Sequence, residues 1–440
     1  MKTSVIVSGV AGLILVAGQA RGEDLMDVYR LALQNDPQLR QASAVVRSTR
    51  ENKTQAFSNF LPNLSGNATY SDSSGDFELV NGQVGSFDSQ RENIGLTLNQ
   101  SIYDQRNYTR MDAARSQISQ SDADYQSALN SLLTRVAESY FGVLTAEDAL
   151  KFAQAEETAN ERQLEQAEQR YEVGLTAITD VHEARASYDR ARANTIIAAN
   201  RLDDAREALR ELTAQDITTL RSLAEEYPLV QPEPNDPEAW VATALENNPQ
   251  IQSRKFAADA AYHNVRTQRA GHLPTVGAQL SYSDTTNDGD LGPFSTETQD
   301  STTFAIQLTV PLYEGGSVSS RTRQAVADYD AALERLEQDR RAVIRSTRNN
   351  FRAVIAGISE VEAFKQTVVS AQSALEATEA GFEVGTRTIV DVLISQRTLF
   401  QAQQDYSRAR HDLILDHLRL RASAGTIEVD NLERVNSVLE

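Results

Sequence analysis

The sequence repeats itself at a spacing of about 210 residues, which constrains the fold more than any other feature of the chain. Leu33-Gln34-Asn35-Asp36-Pro37-Gln38-Leu39 returns as Leu245-Glu246-Asn247-Asn248-Pro249-Gln250-Ile251. The same shift carries Leu61-Pro62 onto Leu273-Pro274, Tyr70-Ser71-Asp72 onto Tyr282-Ser283-Asp284, and Ile102-Tyr103 onto Leu312-Tyr313. It carries Tyr171-Glu172-Val173-Gly174 onto Phe382-Glu383-Val384-Gly385, and Ile178-Thr179-Asp180-Val181 onto Ile389-Val390-Asp391-Val392. One long supersecondary unit is used twice, so the architecture is pseudo-symmetric.

Each copy runs through the same order of elements. A short helix, from Leu25 or from Glu238, stops at Asn-Asp-Pro or Asn-Asn-Pro, where Asn or Asp before Pro starts a second helix. That helix reaches about Phe60, or about Gly271, before Leu-Pro ends it. A β region follows. Leu64, Gly66, Ala68 and Tyr70 share one face, as do Ile94, Leu96 and Leu98; the second copy offers Val276, Ala278, Leu280 and Tyr282, then Phe304, Ile306, Leu308 and Val310. Period-two patterning with a polar opposite face suits strands with one apolar and one wet side. The polar segments 73–89 and 284–300 read as long loops joining each pair. Four strands cannot close a barrel, so several chains must pool them or the sheet must pack on helices; three chains would supply twelve strands.

Very long helices come next, about Asp104 to Arg170 and Glu314 to Gly381. Apolar or small residues at Met111, Ala114, Ile118, Tyr125, Leu129, Leu132, Val136, Tyr140 and Val143 alternate three- and four-residue spacings, the seam of a coiled coil. At 1.5 Å per residue such a helix is roughly 100 Å long. Gly174 and Gly385 end these helices as left-handed residues. Asp180 and Asp391 start the return helices, and Asp180 with Glu183 forms a capping box that Asp391 with Ile394 cannot. A return helix and a Pro-started helix, stacked end to end, match one long helix in length. The first return helix is expected to stack on the Pro249 helix, and the Pro37 helix on the last return helix, about Val392 to Ala422.

Composition narrows the function. The formal charge of -20 argues against a nucleic-acid partner. The chain has no cysteine, which removes disulfides and thiolate chemistry. The first residues, with Lys2, the apolar run Val5 to Ala17 and small residues near Ala20, read as a secretory signal. No later stretch approaches about 18 uninterrupted apolar residues, so no transmembrane helix is expected. The five histidines show no ligand spacing, and no Ser, His and Asp constellation supports catalysis. An enzyme is not expected, nor a cofactor or metal.

The plan and several local motifs resemble the TolC-type outer-membrane efflux channels, the outer membrane factor family. Val384-Gly385-Thr386-Arg387-Thr388-Ile389-Val390-Asp391-Val392-Leu393 is similar to the family's second periplasmic hairpin tip, and Val173-Gly174-Leu175-Thr176-Ala177-Ile178-Thr179-Asp180-Val181 to its first. Gly271-His272-Leu273-Pro274-Thr275 and Pro311-Leu312-Tyr313-Glu314-Gly315-Gly316 resemble its joints between helix and strand. The resemblance implies a mixed α and β membrane protein. It would be a homotrimer, with a twelve-stranded β-barrel in the outer-membrane lipid continued by a long α-helical periplasmic tunnel. A periplasmic adaptor protein would dock at the tip, with an inner-membrane transporter beyond it. Drugs, toxins or proteins would leave through this duct, in efflux or type I secretion.

The same resemblance divides the chain into a signal peptide over 1–20, equatorial and tunnel helices over 21–60, and a strand pair over 61–103. A helical hairpin over 104–212 and an equatorial crossover over 213–237 complete the first half. The second half has helices over 238–272, strands over 273–313, a hairpin over 314–424 and a C-terminal equatorial segment over 425–440.

Asp391 matches a family position whose three copies form an acidic constriction at the tip. The family's second acidic residue, one turn on, is Ile394 here, which implies a single ring above an apolar iris. Arg387 matches a residue that ties neighbouring hairpins together through positions matching Thr179 and Asp180. Phe382 stands where the family has a Tyr in that network, so the hydroxyl link is lost or replaced by packing. Gly174 and Gly385 mark the turns that would meet the adaptor. Tyr70, Phe87, Tyr103, Tyr282, Phe294 and Tyr313 are candidates for interfacial girdles. A structural coiled-coil envelope protein would explain the helices but not the strand pairs; a periplasmic adaptor would have one hairpin, not two.

Overall fold

A computed structural model describes residues 22–78, 82–225, 228–289 and 298–440. The expected signal sequence and Phe294 lie outside the described residues.

Helices come in matched sets. In the first repeat they are α1 (Leu25–Asn35), α2 (Pro37–Ser58), α3 (Gln105–Glu172) and α4 (Ile178–Thr213). In the second they are α5 (Pro237–Asn247), α6 (Pro249–Arg269), α7 (Ser317–Glu383) and α8 (Ile389–Ser423), followed by α9 (Val429–Asn436). At 68 residues, α3 is about 100 Å long. Among the described residues no helix is long and apolar enough to cross a membrane.

The strands β1 (Asn63–Glu78), β2 (Val84–Tyr103), β3 (Thr275–Gly289) and β4 (Thr298–Thr309) form one antiparallel sheet in that order. Its register sorts the two faces. Leu64 pairs with Leu98, Leu98 with Leu280 and Leu280 with Phe304, a row of apolar side chains across all four strands. The adjacent row, Ser65, Thr97, Ser281 and Thr303, is polar and points the other way. The apolar face has no cover within the chain: Leu64 and Phe304 are each 67% exposed. Among the described residues both outer edges, β1 and β4, are unpaired.

The strands also run on where loops were expected. Positions 73–78 and 84–89 continue the ladder, Ser73 opposite Ser89 and Phe77 opposite Gly85, and β3 extends to Gly289. Ladder bonds are made by the backbone, so pairing outlasts the apolar pattern that a sequence reading follows. At 20 residues, β2 is about twice the length that a tilted strand needs to cross a bilayer.

The helices stack differently from the expectation. Asn35, the last residue of α1, donates its Nδ2 to the Thr213 carbonyl at 2.9 Å, which ties the α1–α2 joint to the end of α4. Asn248 Nδ2 donates to the Ser423 carbonyl at 2.9 Å, which joins α6 to the end of α8. Each Pro-started helix therefore stacks on the return helix of its own repeat, not of the other. The side-chain amide satisfies a carbonyl that the helix end leaves free, and this selects between stackings that helix length alone cannot distinguish. One chain thus holds four columns side by side: α2 on α4, then α3, then α6 on α8, then α7.

The main core lies at mid-height, where α1, α3, α4, α8 and α9 meet around Leu25, Val28, Leu132, Val136, Tyr140, Ile414 and Leu432. Tyr140 donates its hydroxyl to the Arg221 carbonyl at 2.7 Å, tying the crossover segment to this core.

Candidate functional site: the paired hairpin tips

Both hairpins close by the same backbone device. Gly174 has φ +74° and Gly385 has φ +79°. The N–H groups of Gly174 and Leu175 reach the carbonyls of Tyr171 and Arg170 at 2.9 and 2.8 Å; those of Gly385 and Thr386 reach Phe382 and Gly381 at 3.1 and 2.8 Å. These are Schellman closures, and they reverse the chain without leaving helix-end carbonyls unsatisfied.

Side chains then make the two tips different. In the first, Ala177 occupies the N-cap of α4 and supplies no side-chain bond, so the expected box between Asp180 and Glu183 does not form. Asp180 instead accepts from the Thr176 hydroxyl. In the second, Thr388 is the N-cap of α8 and a capping box is present, one turn earlier than the Asp391-to-Ile394 spacing tested in the sequence. Asp391 Oδ2 accepts from the Thr388 N–H and hydroxyl, both at 2.9 Å, while Thr388 Oγ1 accepts from the Asp391 N–H at 3.3 Å. Those hydrogen bonds, with the Arg387 guanidinium nearby, hold the Asp391 carboxyl below its usual range. It is a fixed negative charge at neutral pH.

The two tips pack on each other inside one chain. Ala167, Val181 and Ala184 of the first meet Ile389 and Leu393 of the second, with Phe382 and Val390 alongside. Phe382 also borders the apolar cluster of Leu375, Val392 and Leu399. Its ring carries the guanidinium of Arg170 at 4.8 Å from the centroid. Phe382 therefore joins the hairpins through packing and a cation–π contact. Arg170, which the sequence reading passed over, is its partner. Only the repeat offset could have flagged it: Arg170 matches Gly381, and a Cβ on Gly381 would lie 2.8 Å from Cγ of Arg387. The second tip gives up a side chain there to let the Arg387 stem pass.

Arg387 and Thr179 are both exposed, and in the chain neither Thr179 nor Asp180 bonds to the Arg387 guanidinium. Ile394 is 49% exposed. Asp391 is partly exposed on the same first turns of α8. Among the described residues there is no cluster of His, Cys, Asp and Glu that could hold a metal ion. Of the aromatic candidates, Tyr70, Tyr282, Tyr103 and Tyr313 are exposed, whereas Phe87 lies across Gly75 on the neighbouring strand.

Comparison with known proteins gives the same picture throughout. The family model described as "Outer membrane efflux protein" matches residues 28–215 and 240–426, one match for each repeat. The chain is 36% identical to the outer membrane protein TolC of Vibrio cholerae serotype O1, over 98% of this chain and 97% of that protein. It is 29% identical to the alkaline protease secretion protein AprF of Pseudomonas aeruginosa, over 97% of this chain and 89% of that one. The fold matches the crystal structure of the Campylobacter jejuni CmeC outer membrane channel with a TM-score of 0.78 and 16% identity, covering 100% and 98% of the two chains.

Proposed function

Because this chain belongs to the outer membrane efflux protein family, we propose that it works as the outer-membrane exit duct of a tripartite efflux or type I secretion system. The observation that carries the reading is the sheet: four strands, both edges open, one face apolar and bare, the other polar, each strand pair running directly into a helix about 100 Å long. A bare apolar face belongs against lipid, and open edges must be paired. Three chains joined edge to edge supply twelve strands and twelve helical columns, with β4 of one meeting β1 of the next and α7 meeting the α2 and α4 column. The polar row of Ser65, Thr97, Ser281 and Thr303 then lines a wet lumen.

The boundaries expected from the sequence divide the proposed duct as follows. The strand pairs form the barrel, the hairpins form the tunnel, and the crossover with the C-terminal segment forms a belt at mid-height. The hairpin turns at Gly174 and Gly385 are the surface for a periplasmic adaptor, through which an inner-membrane transporter delivers cargo.

The gate lies at the tip. In the trimer three copies of Asp391 form one acidic ring, with three copies of Ile394 making an apolar iris beneath it. Arg387, whose guanidinium makes no ion pair among the described residues although it lies near Asp391, reaches Thr179 and Asp180 of the neighbouring chain and latches the tip closed. The protein moves material and performs no chemistry on it. Reconstitution tests the reading: the purified protein runs as a heat-modifiable trimer and gives discrete conductance steps in planar bilayers. A water-soluble monomer without conductance would instead indicate an adaptor.

A further inference from the structure

The second repeat carries a cavity lined by two arginines, one of which has a counterpart in the first repeat that is paired with a carboxylate. The cavity has a volume of about 370 Å³ and lies between the crossover segment, α5, α8 and α9. Arg421 and Arg434 both line it, together with His417, Trp240 and the apolar side chains of Pro228 and Val230. Among the described residues neither guanidinium makes an ion pair or a side-chain hydrogen bond, although Glu233 also lines the cavity.

The duplication supplies an internal control. With an offset of 211, Arg421 matches Arg210 and His417 matches Arg206. In the first repeat Arg210 pairs with Glu207 at 3.2 Å and Arg206 pairs with Glu147 at 3.2 Å. The matching positions in the second repeat hold Leu418, in place of Glu207, and Gly357 or Ile358, in place of Glu147. Both neutralising carboxylates are absent, yet the arginine on α8 is kept, and Arg434 on α9 converges on it. Arg421 is half-buried and Arg434 exposed at the same cavity, so their like charges repel, and an anion between them would relieve that repulsion. Burial, followed by the field of Arg434, holds Arg421 below the usual arginine range. Burial and the field of Arg421 likewise depress His417, so the imidazole is neutral at pH 7 and leaves the charge to the two guanidiniums.

We infer that this cavity binds an oxyanion, a carboxylate or phosphate carried on a short apolar body, with Arg421 and Arg434 holding the anion and Trp240, Pro228 and Val230 covering the rest. Guanidinium forks match the geometry of both oxyanions, and the proline and indole walls favour an aliphatic extension over a hydrated free ion. The site lies at mid-height, far from the tips, and the inference does not depend on the duct reading.

The chain contains a single tryptophan, Trp240, so its emission reports on this cavity alone. The purified full-length protein in detergent is titrated at constant ionic strength with hexanoate, monohexyl phosphate, inorganic phosphate and neutral hexanol, and followed by Trp240 emission and by calorimetry. The expected result is saturable binding of at least one hexyl anion. Binding should be at least tenfold weaker in Arg421→Gln/Arg434→Gln, and weakened also in Arg434→Gln alone, where only an exposed side chain changes. Which hexyl anion saturates assigns the oxyanion. Equal binding by hexanol, equal binding by the double variant, or no saturation by either readout overturns the inference.

Discussion

The two repeats build the same columns and differ at their joints and ends. In the first, Asp36 is the N-cap of α2 and is almost fully buried. It accepts from the Leu39 N–H at 2.9 Å and from both terminal nitrogens of Arg135 at 3.1 and 2.8 Å. In the second, the same position is Asn248, neutral, which caps α6 through a bond from the Gln250 N–H at 2.9 Å and spends its amide on α8. Both joints place an asparagine amide on the end of the return helix, from Asn35 or Asn248; the first adds a buried ion pair at its cap, and the backbone path is the same. The symmetry therefore resides in backbone geometry and helix length, while the interactions that hold each joint are particular to each copy.

That contrast predicts unequal responses to equal substitutions. Asp36→Ala removes a cap and strands a buried guanidinium, costing about 3 kcal/mol, the lower end of the range for such pairs because Arg135 is 23% exposed and partly hydrated. Asn248→Ala removes a cap and the amide's bond to the Ser423 carbonyl, at about 2 kcal/mol. Denaturant midpoints of the two variants check this; equal losses would show that the ion pair contributes no more than that neutral amide bond. Burial pushes the Asp36 carboxyl up, but the Arg135 hydrogen bonds outweigh it and its range ends lower than usual. Its contribution is therefore present above the unfolded carboxylate range and lost as pH falls below it.

A second difference between copies lies on the return helices, where His411 of α8 matches Asn200 of α4. Thr145 donates its hydroxyl to the Phe141 carbonyl at 2.7 Å, so its oxygen accepts from His411 Nδ1, 2.9 Å away. Burial depresses His411 from 6.5 to about 4, against the opposing pull of Asp148. Between those values the unfolded chain takes up a proton that the folded chain refuses. Stability is complete above pH 6.5 and falls as pH drops towards about 4, by up to about 3 kcal/mol at 1.36 kcal/mol per pH unit. His411→Asn, which installs the first repeat's residue, should flatten that part of the pH–stability curve; an unchanged slope would place the proton uptake elsewhere.

Much of this was legible before the structure. Gly174 and Gly385 announce their turns because few other residues adopt positive φ, and heptad spacing from Met111 to Val143 identifies α3. Ladder extension into 73–89 was not legible, because backbone pairing leaves no mark on a polar segment. Nor was the stacking partner of each Pro-started helix, which depends on the amides of Asn35 and Asn248 finding carbonyls 178 and 175 residues away. At the tip, Asp391, Arg387 and Phe382 were singled out by resemblance. The Thr388 cap and the Arg170 contact with Phe382 needed coordinates, since both depend on where a turn places a side chain.

The tips sharpen the comparison on a functional scale. Arg387 of the second hairpin has no counterpart in the first, where Thr176 occupies the matching position and bonds to Asp180 within its own chain. Arg387→Ala should raise single-channel conductance in planar bilayers several-fold, and Asp180→Ala should do the same. Unchanged conductance in both would remove the latch. Thr176→Val separates the two roles of Asp180: it breaks the bond inside the chain and leaves Asp180 free for a neighbour, so conductance should stay near that of the unmodified protein.

The smallest effect concerns the ends of the return helices. α8 finishes with Gly425 at φ +72°, whereas the matching residue after α4 is Ala214 at φ +55°. Ala214 donates its N–H to the Arg210 carbonyl at 2.8 Å, so the left-handed turn is kept although a Cβ is present. A left-handed conformation costs a non-glycine residue about 1–2 kcal/mol, and glycine in the unfolded chain gives back about 0.5–1 kcal/mol in entropy. Ala214→Gly should therefore stabilise the protein by about 0.5–1 kcal/mol, read as a small rise in denaturant midpoint with unchanged slope. The reverse change in the second repeat is not symmetric. A Cβ on Gly425 would lie 2.6 Å from the Asn247 carbonyl oxygen, so Gly425→Ala adds a steric clash with the α5–α6 joint to the backbone strain. A loss in Gly425→Ala that merely mirrors the gain in Ala214→Gly would mean that the joint yields to the new methyl group, and that the two repeats are more alike at this level than their contacts indicate.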